Sequence, residues 1–122
     1  MHEAITCRVT VRLFAGEDKC FGPGVAMLLG HIRETGSIRR ASQAMGMAYS
    51  KAWIILRRAE AAFGAPLLAT ATGGRSGGGA VLTPLGESLL TRYDTLCARL
   101  EACARDSFAE LYPGEASPER NL

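Results

Sequence analysis

Residues 36–63 read Gly36-Ser-Ile-Arg-Arg-Ala41-Ser-Gln-Ala-Met-Gly46-Met-Ala-Tyr-Ser50-Lys-Ala-Trp-Ile-Ile55-Leu-Arg-Arg-Ala-Glu60-Ala-Ala-Phe63, and their punctuation decides the fold. Ser37 has a hydroxyl that can accept from the free N–H groups of a first helical turn, so it caps a short helix. Ile38, Ala41 and Met45 recur at helical spacing and form its inner face. Gly46 stops that helix and permits a tight turn through Met47 and Ala48. A second helix runs from about Tyr49 to Phe63, with Ala52, Ile55, Leu56, Ala59 and Phe63 as its inner stripe and Trp53 assigned to the core. Two short helices joined by a glycine-containing turn make a helix-turn-helix arrangement.

The flanks extend this arrangement. Upstream, Gly22-Pro23-Gly24 opens a helix, since proline suits a first turn where no N–H is required. Val25, Leu28, Leu29 and Ile32 supply its buried face, and Gly36 ends it. Before it, Ile5, Cys7, Val9, Val11 and Leu13 alternate with Thr6, Arg8, Thr10 and Arg12, the pattern of a half-buried strand. Residues 16–20 read as a polar loop. Downstream, two short apolar segments (residues 67–72 and 80–83) surround a glycine-dense tip and predict a β-hairpin, or wing. Thr83 and Pro84 then cap and open a long helix to about Leu111.

The fold class is therefore mainly α with small β: a winged helix-turn-helix with an N-terminal strand, a two-stranded wing and a long C-terminal helix. The winged domain is expected over residues 1–111, with a dimerisation helix at about 84–111. From Pro113 onward glycine, proline, serine and glutamate dominate, so residues 112–122 are expected to be a disordered tail. On the long helix Leu85, Leu89, Tyr93, Leu96, Leu100 and Cys103 form one stripe, and Leu90, Cys97, Ala104 and Leu111 form another. So broad a face exceeds the needs of one small core and predicts a homodimer through Leu89, Tyr93, Leu96, Leu100 and Cys103. Folding of this helix back on its own domain is the alternative.

Charge is unevenly distributed along the chain. The whole carries +2, but residues 33–86 hold Arg33, Arg39, Arg40, Lys51, Arg57, Arg58 and Arg75 against Glu34 and Glu60, a net of +5. Residues 87–122 carry a net of −3. A basic middle suits a protein that meets phosphates on one face. With 48% apolar and 21% charged residues the chain reads as globular. No apolar run is long enough to span a bilayer, and the start is unlike a signal peptide. A cytoplasmic location without membrane association is expected. Cys7, Cys20, Cys97 and Cys103 form no metal-ligand spacing with each other or with His2 and His31, so neither metal nor cofactor is expected.

If the second helix enters a DNA major groove, its early turns reach base edges while longer cations clamp phosphates. Tyr49, Ser50, Lys51, Ile54, Arg57 and Arg58 face outward there. Lys51 and Ser50 are assigned to bases, and Arg57 and Arg58 to the backbone. Ser37, Arg39 and Arg40 open the preceding helix and suit phosphates. In the loop, Thr72, Gly73, Gly74, Arg75, Ser76 and Gly77 bring backbone N–H groups and a guanidinium close to a groove or phosphate. That loop is no nucleotide-binding P-loop, because Gly73 and Gly78 are followed by Gly79 and Ala80 rather than lysine. Nor is there a catalytic constellation of paired carboxylates, Cys/His or Ser/His/Asp on adjacent elements. No enzyme is expected.

Gly36-Ser37-Ile38, Ala41, Gly46, Tyr49 and Ala52-Trp53 precede Ala71-Thr72-Gly-Gly-Arg-Ser-Gly-Gly-Gly-Ala80, Leu82-Thr83 and Gly86. Taken together, these residues resemble the N-terminal domain of the ModE family, molybdate-responsive transcriptional regulators. The glycine-rich wing is the distinctive part. Pro66-Leu67-Leu68 and Leu82-Thr83-Pro84-Leu85-Gly86-Glu87 are similar to the wider LysR-type winged helices. The resemblance covers about residues 4–111 and implies a dimeric regulator of double-stranded DNA acting at an inverted repeat. The family's usual Ser-Tyr-Lys is met here by Ala48-Tyr49-Ser50-Lys51. That displaces the lysine by one position, or about 100° around the helix. Full-length members continue into oxyanion-binding domains, which this chain lacks, so a single-domain form is expected and direct molybdate sensing is not implied. The competing expectation is a winged-helix module that docks a partner protein without specific DNA binding.

Overall fold

The computed structural model describes residues 3–71 and 79–115. Among these the chain forms, in order, β1 (Leu13–Ala15), β2 (Asp18–Phe21), α1 (Pro23–Thr35), α2 (Ile38–Ala44), α3 (Tyr49–Phe63), β3 (Leu68–Thr70), β4 (Ala80–Leu82) and α4 (Pro84–Leu111). The chain divides into two compact units, residues 11–93 and residues 3–10 with 94–115.

Within the first unit, α1 starts at Pro23 after an extended Gly22 and ends at Gly36, whose left-handed φ of 71° lets its N–H reach the Ile32 carbonyl at 2.7 Å. A left-handed residue just past a helix satisfies carbonyls that would otherwise be orphaned, and glycine takes that conformation without a Cβ penalty. Ser37 caps α2 as expected, its Oγ accepting from the Arg40 N–H at 3.1 Å. Gly46, at φ 64°, turns the chain into α3. The Met47 N–H closes this turn on the Ser42 carbonyl at 3.0 Å. Val25, Leu28, Leu29 and Ile32 of α1, Ile38 and Ala41 of α2, and Ala52, Leu56 and Ala59 of α3 make the core.

The wing is an antiparallel pair, with Leu68 opposite Leu82 and Thr70 opposite Ala80. Two bonds fix its base. The Ala80 N–H donates to the Gly36 carbonyl at 2.8 Å, and the Thr83 N–H donates to the Leu67 carbonyl at 2.9 Å. Thr83 caps α4 through the Gly86 N–H at 3.1 Å while donating its own hydroxyl to the Pro66 carbonyl at 2.8 Å.

Three local expectations are corrected. Residues 3–12 form no strand, and Ile5, Cys7 and Val9 are exposed. Alternation marks a chain able to pair, but no partner strand meets these residues among those described. The strand that does form lies further on and pairs across Gly16-Glu17 with β2, the stretch expected to be a loop. This hairpin exists to seat Phe21, which is buried between Phe63 and Tyr93 at ring-centroid distances of 6.2 and 5.1 Å. Trp53 is half-buried rather than core. In the second unit residues 113–115 form a turn, whose Glu115 carbonyl accepts from the Ile5 N–H at 3.1 Å. The rest of the predicted tail, residues 116–122, lies outside the described residues.

Candidate nucleic-acid interface

The buried stripe of α3 leaves the opposite face free. At about 100° per residue, Ser50 and Ile54 fall at the middle of that face, with Arg57 on one flank and Lys51 and Arg58 on the other. All five are exposed. Ile54 is 52% exposed between polar neighbours and so contributes little to the fold. No side chain caps the N-terminus of α3, because its N-cap is Ala48. The first-turn N–H groups of this helix are therefore open to an acceptor, at the end where the macrodipole favours anions.

Arg39 and Arg40 enter from the first turn of α2 and are exposed. The Arg39 guanidinium carbon lies 4.4 Å from the centre of the Tyr49 ring, joining α2 to α3. Tyr49 meets Trp53 edge-on at 6.4 Å, and the Arg57 guanidinium sits 5.0 Å from the Trp53 ring centre. Arg39, Tyr49, Trp53 and Arg57 thus form one continuous line. Sequence reasoning missed Trp53 as a member of it, although Tyr49, Trp53 and Arg57 are spaced four apart, the spacing that brings side chains together on a helix.

Arg58 departs from the others. It lines a groove with Ala15, Asp18, Lys19 and Cys20, beside the β1–β2 hairpin. Ser37 keeps its hydroxyl on the α2 cap. The base of the wing adjoins this end of α2, since Ala80 is bonded to Gly36. Thr72, Gly73, Gly74, Arg75, Ser76 and Gly77 lie outside the described residues. On α4, Leu89 and Tyr93 are buried in their own unit, leaving Leu96, Leu100 and Cys103 as the exposed remainder of the expected dimer stripe.

A three-helix core, with an exposed basic face on its third helix and a hairpin packed beside it, defines a winged helix-turn-helix. Residues 27–87 match the bacterial regulatory helix-turn-helix proteins of the lysR family, and the chain belongs to that family. Among curated relatives, the DNA-binding transcriptional dual regulator ModE of Escherichia coli is 34% identical over 106 residues, covering 87% of this chain and 38% of its own length. The molybdenum-pterin-binding protein MopB of Rhodobacter capsulatus is 42% identical over 69 residues, 57% of this chain and 26% of that protein. The molybdenum transport protein ModE of Herbaspirillum seropedicae is 42% identical over 72 residues, 59% of this chain and 27% of that protein. The chain thus spans about a quarter to two fifths of the length of these relatives. Fold and matches together make this chain a ModE-like winged-helix domain.

Proposed function

We propose that this chain is a sequence-specific DNA-binding transcriptional regulator of the ModE type, acting as a homodimer on an inverted repeat. The observation that carries the reading is the outer face of α3. There Ser50, Lys51, Ile54 and Arg57 stand exposed along a helix whose N-terminus no side chain caps, and none of them is required by the core. In a major groove, Lys51 and Ser50 read base edges, Ile54 offers an apolar contact for a thymine methyl, and Arg39, Arg40 and Arg57 take phosphates. Arg58 and the wing residues 72–77 add backbone contacts at the margins. Its likeness to a molybdenum transport protein and a molybdenum-pterin-binding protein favours genes of molybdenum or related oxyanion metabolism as targets.

Dimerisation is supported by apolar side chains left open in the unit formed by residues 3–10 and 94–115. Ile5, Val9, Leu96 and Leu100 are all exposed there. A second copy would cover them, and a dimer of this class reads two half-sites about one helical turn of DNA apart. Titration of purified protein into a labelled duplex at stepped salt tests the DNA reading. Affinity that falls steeply with salt supports it, since lysine and arginine release counterions on binding. No binding to any duplex would support a module that docks a partner protein.

A further inference from the structure

From the line Arg39–Tyr49–Trp53–Arg57 we infer that Trp53 is a positioning residue for phosphate recognition. With Tyr49 it holds two guanidinia, one from each helix of the motif, at a fixed separation along one flank of α3. The inference rests on the DNA-binding reading of this site. The rings are not core filler: Tyr49 is 38% exposed and Trp53 half-buried, and both arginines are exposed. Nor are the arginines held by acids. Among the described residues the one ion pair is Arg33–Glu87. What touches Arg39 and Arg57 instead is a ring, at 4.4 and 5.0 Å.

This choice of partner has a chemical consequence. A carboxylate would occupy the N–H donors of a guanidinium and cancel its charge. A ring face attracts the cation through its quadrupole and leaves the N–H donors free. Restricting the side chain beforehand also lowers the rotamer entropy lost when a phosphate binds. Arg39 and Arg57 lie against different rings, whose centres are 6.4 Å apart. The ladder therefore presents its two cations as a pair held on two supports, suited to separate phosphates rather than to a single anion.

The test uses the whole chain and a mixed-sequence duplex of about 30 base pairs at about 50 mM salt, where phosphate contacts dominate. Trp53→Leu should weaken binding about two- to fivefold without changing the salt slope, since it removes a cation–π contact and no charge. Arg57→Ala should weaken binding and lower the slope by about one. The double variant should lose less than the product of the two single losses, because the Arg57 part of the Trp53 effect is already gone. Fold-losses that simply multiply in the double variant would overturn the inference. Trp53→Phe, which keeps a ring and preserves packing, should recover most of the loss; recovery equal to that of Leu would also overturn it. A second reading needs no DNA. Trp53 is the only tryptophan of the chain, so its emission reports the ladder directly. Arg57→Ala should shift that emission and Arg92→Ala, on α4, should not; an unchanged spectrum in Arg57→Ala would overturn the ladder itself. Failure of the unaltered protein to bind the duplex would instead overturn the DNA reading and the phosphate role with it, while the emission measurement still decides the ladder.

Discussion

Gly86, in the first turn of α4, lies so close to Leu67 that a Cβ at position 86 would run into the Leu67 carbonyl oxygen. That carbonyl already accepts from the Thr83 N–H at 2.9 Å, so it cannot swing away without breaking the seam between wing and α4. Gly86→Ala should therefore destabilise the protein by about 1–3 kcal/mol, the usual cost of overpacking, despite alanine's better helix propensity. Chemical denaturation of both proteins checks this. A stabilised variant would mean that the helix start is less constrained than the contact indicates.

Tyr93 ties two parts of its unit together, packing on Phe21 and donating its hydroxyl to the Val11 carbonyl at 2.6 Å. Tyr93→Phe keeps the ring and removes the hydroxyl that makes this bond. The expected loss is about 1 kcal/mol of unfolding free energy, read from the denaturant midpoint at constant slope.

Ile54 separates site from scaffold. Its side chain is 52% exposed, so Ile54→Ala should change stability by no more than about 0.5 kcal/mol. The same variant should weaken binding to a specific operator while leaving non-specific binding almost unchanged. Equal loss on both duplexes would remove Ile54 from base reading.

On α4 the outcome to measure is oligomeric state. Leu100→Asp places a charge on a leucine that is 40% exposed and not part of the core. Sedimentation should show a dimer for the unaltered chain and a folded monomer for this variant, because an unpaired charge in an apolar contact is costly. A variant that remains dimeric would place the interface elsewhere.

The exposed ion pair is expected to matter little. Arg33 and Glu87 meet at 2.9 Å with about half of each side chain in solvent, so Glu87→Gln should cost less than about 1 kcal/mol in thermal or chemical unfolding.

The helix-turn-helix was legible because helix-forming spacing, a serine cap and the left-handed Gly46 all point to the same geometry. The α4 start was legible for the same reason, through Thr83 and Pro84. The β1–β2 hairpin was not. Its strands are three and four residues long, too short for periodicity to register, while the longer alternation of residues 5–13 drew attention to a segment that forms no strand over residues 5–12. Along α4 a single stripe runs from Leu89 to Cys103, and spacing alone cannot tell that Leu89 and Tyr93 are already covered. On α3, exposed Tyr49, Lys51 and Arg57 were evident from the wheel. Trp53 was not, because aromatic bulk usually signals core and its pairing with Arg57 depends on where the core stops.

The central claim, that the outer face of α3 reads DNA sequence, is tested most directly by selection from random duplexes. Purified protein would be used at about 150 mM salt, where non-specific binding is weak. Recovery of a two-fold symmetric motif with half-sites about one helical turn apart, lost or altered in Lys51→Ala, is the predicted result. Recovery of no sequence above background, from a protein shown to be folded, would contradict it.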